Sequence, residues 1–195
     1  MDIRGTEGEA GIRLGDAVPV LELRDIAGSS RLVVKPGALS VHALRPYKSW
    51  DEFRPLILDA LHVCLDPLGG QQISRIGLRY INELFVPSSQ IELREYVRDA
   101  PDFPEGSPAT QIHGFLQRLE GLDDERGIKL IQTIAGTPAE PGHVGVIVDL
   151  DAIKEFPDPS LHPDDAATVL DDIRDFEREA FEALMTERSR ELFDG

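Results

Sequence analysis

The stretch RIGLRYINELFVP, Arg75 to Pro87, decides the reading of this chain. In an extended strand successive side chains point to opposite faces. Ile76, Leu78, Tyr80, Asn82 and Leu84 then share a face of core character, and Arg75, Gly77, Arg79, Ile81, Glu83 and Phe85 share the other. The second face carries two guanidiniums and a carboxylate in a row, with Gly77 opening the backbone between the arginines. Arg75 and Arg79 stand four residues apart on that face, about 13 Å along the strand, so only their long side chains can bring both guanidiniums toward one phosphate or carboxylate. Two like charges on one face favour a nearby anion or carboxylate. Glu83 can serve Arg79 and an acidic group of the final helix can serve Arg75, so the set is either a structural ion-pair ladder or a binding face. Tyr80 and Asn82 read as a hydrogen-bonded brace in the core, or as a pocket floor.

Outward from this strand the punctuation is antiparallel. VPVLELRD (18–25) alternates, Ala27-Gly28-Ser29-Ser30 turns, and residues 31–35 return as a hairpin partner. Pro36-Gly37 marks the next turn, and residues 38–44 supply a further strand. Ser49 is placed to cap a helix in which Phe53, Leu56, Ile57, Ala60, Leu61 and Cys64 recur at helical spacing, and Asp66-Pro67-Leu68-Gly69-Gly70 ends it. Tyr47 and Trp50, beside Arg45, read as an apolar staple over the helix start more readily than as a base-stacking site. Beyond the long strand, residues 91–97 suit a short helix. Residues 112–120 suit either a helix or a strand, and the Asp123–Gly127 turn with the IKLIQTIAG return favours the strand. Residues 142–151 form a further strand.

From Pro163 to Leu192 an apolar stripe runs through Ala166, Val169, Leu170, Ile173, Phe176, Ala180, Leu184 and Met185, with most of the acids, Glu177 among them, placed off it. This predicts a helix near 30 residues, about 40–45 Å long, with Phe176, Ile173 and Leu184 buried. A helix of that length outruns a small sheet.

Charge is uneven. The net of −16 includes +1 over residues 1–50 (seven basic, six acidic) and −9 over residues 151–195 (five basic, fourteen acidic). Such a surface disfavours direct nucleic-acid binding, which needs clustered Lys and Arg. It suits solubility or docking to a basic protein. Cys64 is the sole cysteine, which excludes an internal disulfide and a cysteine metal cluster. The five histidines stand apart with no metal-ligand spacing. Asp149 and Asp151 face one side of a strand without a third carboxylate at motif spacing. No phosphate loop or nucleophile elbow is present. No metal and no cofactor are expected. The absence of a signal segment or membrane span in the sequence makes the cytoplasm the default compartment.

Arg45-Pro46-Tyr47 leading into Ser49-Trp50-Asp51-Glu52-Phe53, the RIGLRYIN block at Arg75–Asn82, Val148-Asp149-Leu150-Asp151, and a helix with Phe176-Glu177 and Phe181-Glu182 occur in that order. The chain resembles a sporadically distributed bacterial family of uncharacterised proteins with an R-x-G-x-R-Y-x-N strand and an Asp-rich C-terminal strand. The resemblance spans Val18 to Phe193. It implies additional N-terminal elements in other members, and it carries no established activity.

The expected organisation is a flexible arm over residues 1–17 and a single α+β domain over 18–195. That domain is a curved, mainly antiparallel sheet of six or seven strands with two helices, one of them long and C-terminal, on one face. Two function classes follow. One is a non-enzymatic interaction module of regulatory, immunity or defence type. It docks a partner protein, or self-associates as a homodimer or larger complex, through its sheet edge or acidic C-terminal helix. The other is a binder or enzyme for an anionic small molecule or nucleotide, using Arg75, Arg79, Tyr80 and Asn82, with Glu83 as the neighbouring carboxylate.

Overall fold

The computed structural model describes residues 10–15, 18–65, 72–109, 111–157 and 161–192, with the backbone alone for 10–15 and 18–19. The chain has the expected α+β class, with antiparallel sheets and a long helix near its C-terminus. The strands fall into two four-stranded sheets where one larger sheet was expected. The chain divides into two compact units, residues 1–72 with 162–164, and residues 73–161 with 165–195.

The first unit is a meander of β1 (Ala10–Gly15), β2 (Val18–Arg24), β3 (Ser30–Lys35) and β4 (Ala38–Ala43), paired in sequence order, followed by helix α1 (Trp50–Leu65). Strand β1 lies within the segment expected to be a flexible arm; residues 1–9 and 16–17 of that segment are outside the described ones. Register places Leu21, Leu23, Leu32, Val34, Leu39 and Val41 on one face. Helix α1 packs on the β4 side of this sheet. Ser49 caps it as the sequence indicates, its hydroxyl accepting from the Glu52 N–H at 3.3 Å. Phe53 meets both Tyr47 and Trp50 edge-on, with ring centroids 6.2 and 6.3 Å apart, consistent with an apolar staple. No described side chain of this unit reaches full burial.

The second unit holds the core. Strands β5 (Arg75–Val86), β6 (Leu116–Asp123), β7 (Ile128–Thr137) and β8 (Val144–Glu155) pair in the order β5-β8-β7-β6. The segment read ambiguously before the Asp123 turn is therefore a strand. Its turn is built by Asp123, whose carboxylate accepts from the N–H groups of Glu125 and Arg126 at 3.0 Å each, while Gly127 supplies the positive φ of 64°. Residues 91–97 contain only a single 3-10 turn at Leu93–Glu95.

Helix α2 (Ala166–Leu184) packs on β5 and β8. Its buried side chains are Ala166, Val169, Leu170, Ile173, Glu177 and Leu184. Leu184 joins one core cluster with Leu84, Val146, Val148, Leu150 and Ile134 of the sheet's inner face, all five at most 1 % exposed. Ile173 and Leu184 are buried as expected; Phe176 is half-buried at the margin, with Arg126 5.7 Å above its ring.

The expected helix near 30 residues is 19 residues long, about 28 Å, and does not outrun the 12-residue β5. It stops because Met185 turns extended and bridges to Val97. Thr186 then caps a separate helix α3 (Glu187–Arg190) by a reciprocal bond set with Ser189, and its hydroxyl donates to the Glu95 carbonyl at 2.6 Å.

Candidate functional site

Because β5 alternates, its five candidate residues divide between the two faces of the sheet. Arg75, Arg79 and Glu83 project from the outer face, away from α2. Tyr80 and Asn82 project from the inner face. They therefore do not converge on one site.

On the outer face the β5–β8 register sets Arg79 opposite Asp151, Ile81 opposite Asp149 and Arg75 opposite Glu155. Two ladders result, Arg79–Asp151–Ile131–Glu120 and Ile81–Asp149–Thr133–Arg118, running across all four strands. Arg79 donates through Nε at 2.8 Å and through Nη2 at 2.5 Å to the two carboxylate oxygens of Asp149. This bidentate grip raises the arginine's pKa further. The carboxylate that Arg79 grips is that of Asp149; Glu83 lies opposite Ile147. Asp151 is half-buried, and burial pushes its carboxyl upward against the opposing pull of Arg79 and Arg75. Glu120 is held low by hydrogen bonds from Lys129 and Arg118. Around these charges lie exposed apolar groups: Ile81, Phe85, Leu116 and Leu122. A face of this kind, apolar and ringed with paired charges, is suited to contact with a protein surface.

On the inner face, Asn82 donates to the Val148 carbonyl at 3.2 Å, fixing β5 against β8. Tyr80 stacks under Arg174 of α2, 5.0 Å from guanidinium to ring centroid. Arg174 also donates at 2.7 Å to Glu177, which is 2 % exposed. Burial pushes the Glu177 carboxyl up to about 7, although Arg174 pulls it back. This Arg174–Glu177 pair is absent from the candidates drawn from sequence. Glu177 was expected off the apolar stripe, but it lies four residues after Ile173 and three before Ala180, which sets it on the stripe, and the structure buries it.

In the first unit, α1 and the β3–β4 pair border a groove of about 240 Å³ lined by Leu32, Val41, Leu56, Ala60 and Val63, with Arg31 and Asp59 at its rim. Among the described residues no group of three or more His, Cys, Asp or Glu side chains is placed to hold a metal ion. No helix of the described residues is long and apolar enough to cross a membrane. No protein-family model, curated protein or solved structure matches this chain.

Proposed function

We propose that this chain is a cytoplasmic protein-interaction module without chemistry of its own, of regulatory, immunity or defence type, that docks a basic partner protein on the acidic face of α2. The observation that carries this reading is the distribution of charge on that helix. It holds six acidic and two basic residues, a net of −4. Glu177 is buried, whereas Asp172, Asp175, Glu179 and Glu182 are exposed; Glu179 pairs with Arg126, Glu182 with Arg190 and Asp175 with Arg178, and the exposed acids still outnumber these arginines. Like-signed groups presented along one helix steer an oppositely charged protein and select against acidic competitors. The competing reading, an anion or nucleotide held by Arg75 and Arg79, is weakened by the Arg79–Asp149 pair, since a ligand must displace an internal bidentate carboxylate.

Two measurements separate the readings. The first is thermal unfolding of the wild type with phosphate, nucleotides and dicarboxylates, where no anion is expected to raise Tm. The second is co-purification from the native host at low and moderate salt, comparing wild type with Asp172→Asn/Asp175→Asn. A basic protein recovered at low salt and lost in the variant supports docking. A Tm rise with one anion that Arg79→Ala abolishes overturns docking in favour of ligand binding.

A further inference from the structure

We infer that β6 is a self-pairing edge: two copies of this chain join β6 to β6 antiparallel about an axis at Leu119, so that two four-stranded sheets become one. This goes beyond the docking reading, which concerns α2 and a different protein.

Strand β6 ends the sheet order β5-β8-β7-β6, so one of its edges is unpaired within its sheet. Edge strands are normally protected by proline, bulges, charged side chains (lysine above all) or shortness. LQRLEGLD contains neither proline nor lysine, its Arg118 and Glu120 offset each other, and its register with β7 runs unbroken from Leu116↔Ala135 to Asp123↔Ile128. Leu116, Leu119 and Leu122 are 75 %, 48 % and 63 % exposed, and they alternate over both faces of the strand. Solvent has no use for that pattern, whereas a neighbouring strand does.

The backbone limits which neighbour and which register. The Phe115 carbonyl accepts from the Gly136 N–H at 3.1 Å, and these residues continue the β6–β7 register by one step. Hydrogen-bonded pairs alternate along an antiparallel ladder. Residues 117, 119, 121 and 123 therefore turn their N–H and C=O groups to β7. Residues 116, 118, 120 and 122 turn theirs to the open edge. A second copy pairing by the same edge must match even residues with even ones.

Charge and apolar matching then choose among the registers that remain: centring on 117 sets Arg118 against Leu116, and centring on 121 sets Glu120 against Leu122, each wasting a charge on an apolar neighbour. Centring on residue 118 puts Arg118 against Arg118, and centring on 120 puts Glu120 against Glu120. Both place like charges directly opposite, which is destabilising. Centring on Leu119 sets Arg118 against Glu120 of the second copy, and the reverse contact follows by symmetry. The same register sets Leu116 against Leu122 of the second copy, on the same outer face as the charge pairs. On the inner face the two Leu119 side chains meet at the axis. One register thus satisfies the open backbone and all three exposed leucines and sets opposite charges across the seam, extending the Arg118–Glu120 and Lys129–Glu120 pairs within each chain; this is the self-complementarity an isologous contact requires.

The test uses the purified chain alone, so its outcome is independent of any basic partner. Light scattering over a concentration series is expected to give a dimer mass. Arg118→Glu places like charges opposite each other at both symmetry-related sites, and about tenfold weaker dimerisation is expected at low salt. With Cys64→Ser as background, Leu119→Cys is expected to link two chains under mild oxidation, because non-hydrogen-bonded antiparallel partners lie within disulfide reach. Leu122→Cys is expected not to link, since its two copies lie far apart along the paired strands. A monomer at every concentration overturns the inference. So does a dimer that Arg118→Glu leaves unchanged, or one in which Leu119→Cys fails to link.

Discussion

Arg79 and Asp149 are bonded diagonally. The residue directly across from Arg79 is Asp151, yet the guanidinium reaches along the strand to grip both oxygens of Asp149. Diagonal neighbours in an antiparallel pair are about 7–8 Å apart, within range of a long side chain. The choice leaves Asp151, whose carboxyl burial pushes upward, without the bidentate partner.

The first prediction concerns that pair. The Arg79 side chain is 55 % exposed and that of Asp149 is 14 % exposed, so the contact is half solvated. Arg79→Ala is expected to cost about 1–2 kcal/mol, above a typical surface pair because the carboxylate left behind is the more enclosed partner. Urea denaturation near neutral pH measures it. A cost of 3–5 kcal/mol would place the pair in the buried class.

Glu177 makes a pH prediction. Its folded pKa of about 7 lies above the ordinary 4.5, because burial favours the neutral acid. The folded chain therefore holds this proton more tightly than the unfolded chain. The associated stability is complete below about pH 4.5 and is lost as pH rises to about 7. The loss amounts to ~2–4 kcal/mol. Glu177→Gln removes the titration, so the variant's stability relative to wild type should increase between those pH values and then level off. Denaturation curves at pH 4.5, 6 and 8 measure the difference; a constant offset would count against the raised pKa.

Two glycines on the outer face should respond oppositely to the same substitution. A Cβ at Gly145 would stand 2.6 Å from Thr137 Cγ2 and 2.8 Å from the Thr137 carbonyl oxygen, which the β7 backbone holds in place. Gly145→Ala should cost ~1–3 kcal/mol. At Gly77 the nearest atoms are 3.6 Å away, an ordinary contact. Gly77→Ala should be neutral or stabilising by a few tenths of a kcal/mol, because alanine restricts the unfolded chain. Thermal melts of both variants make the comparison.

Within α2, Ile173 is 0 % exposed, whereas Phe176 is only half-buried under Arg126. Ile173→Ala should cost ~2–5 kcal/mol. Phe176→Ala should cost less than half as much, about 1–2 kcal/mol, since part of its ring already faces water. Equal costs in chemical denaturation would mean that the helix is rotated from the orientation described.

Local pattern was sufficient for most elements. The alternation of RIGLRYINELFV assigns Ile76, Leu78 and Leu84 to the core, and the structure buries all three. Ser49 marks the start of α1, and Asp123 with Gly127 marks the β6–β7 turn, because caps and turns are made by residues a few positions apart. Other features depend on residues distant in sequence. Arg79 and Asp149 stand 70 positions apart, and only the β5–β8 register brings the carboxylate within reach. The order of the second sheet is set by β8 inserting between β5 and β7, a choice among pairings that alternation leaves equivalent. The end of α2 at Met185 has the same origin. The apolar stripe continues past it, but the bridge to Val97 and the Thr186 bond to the Glu95 carbonyl turn the chain. Glu177 is the intermediate case: its place on the stripe is written in the spacing, whereas its raised pKa is set by the sheet that covers it. What repeats within a few residues is determined by the chain itself, and what needs a partner strand is decided by which of several equally patterned strands arrives.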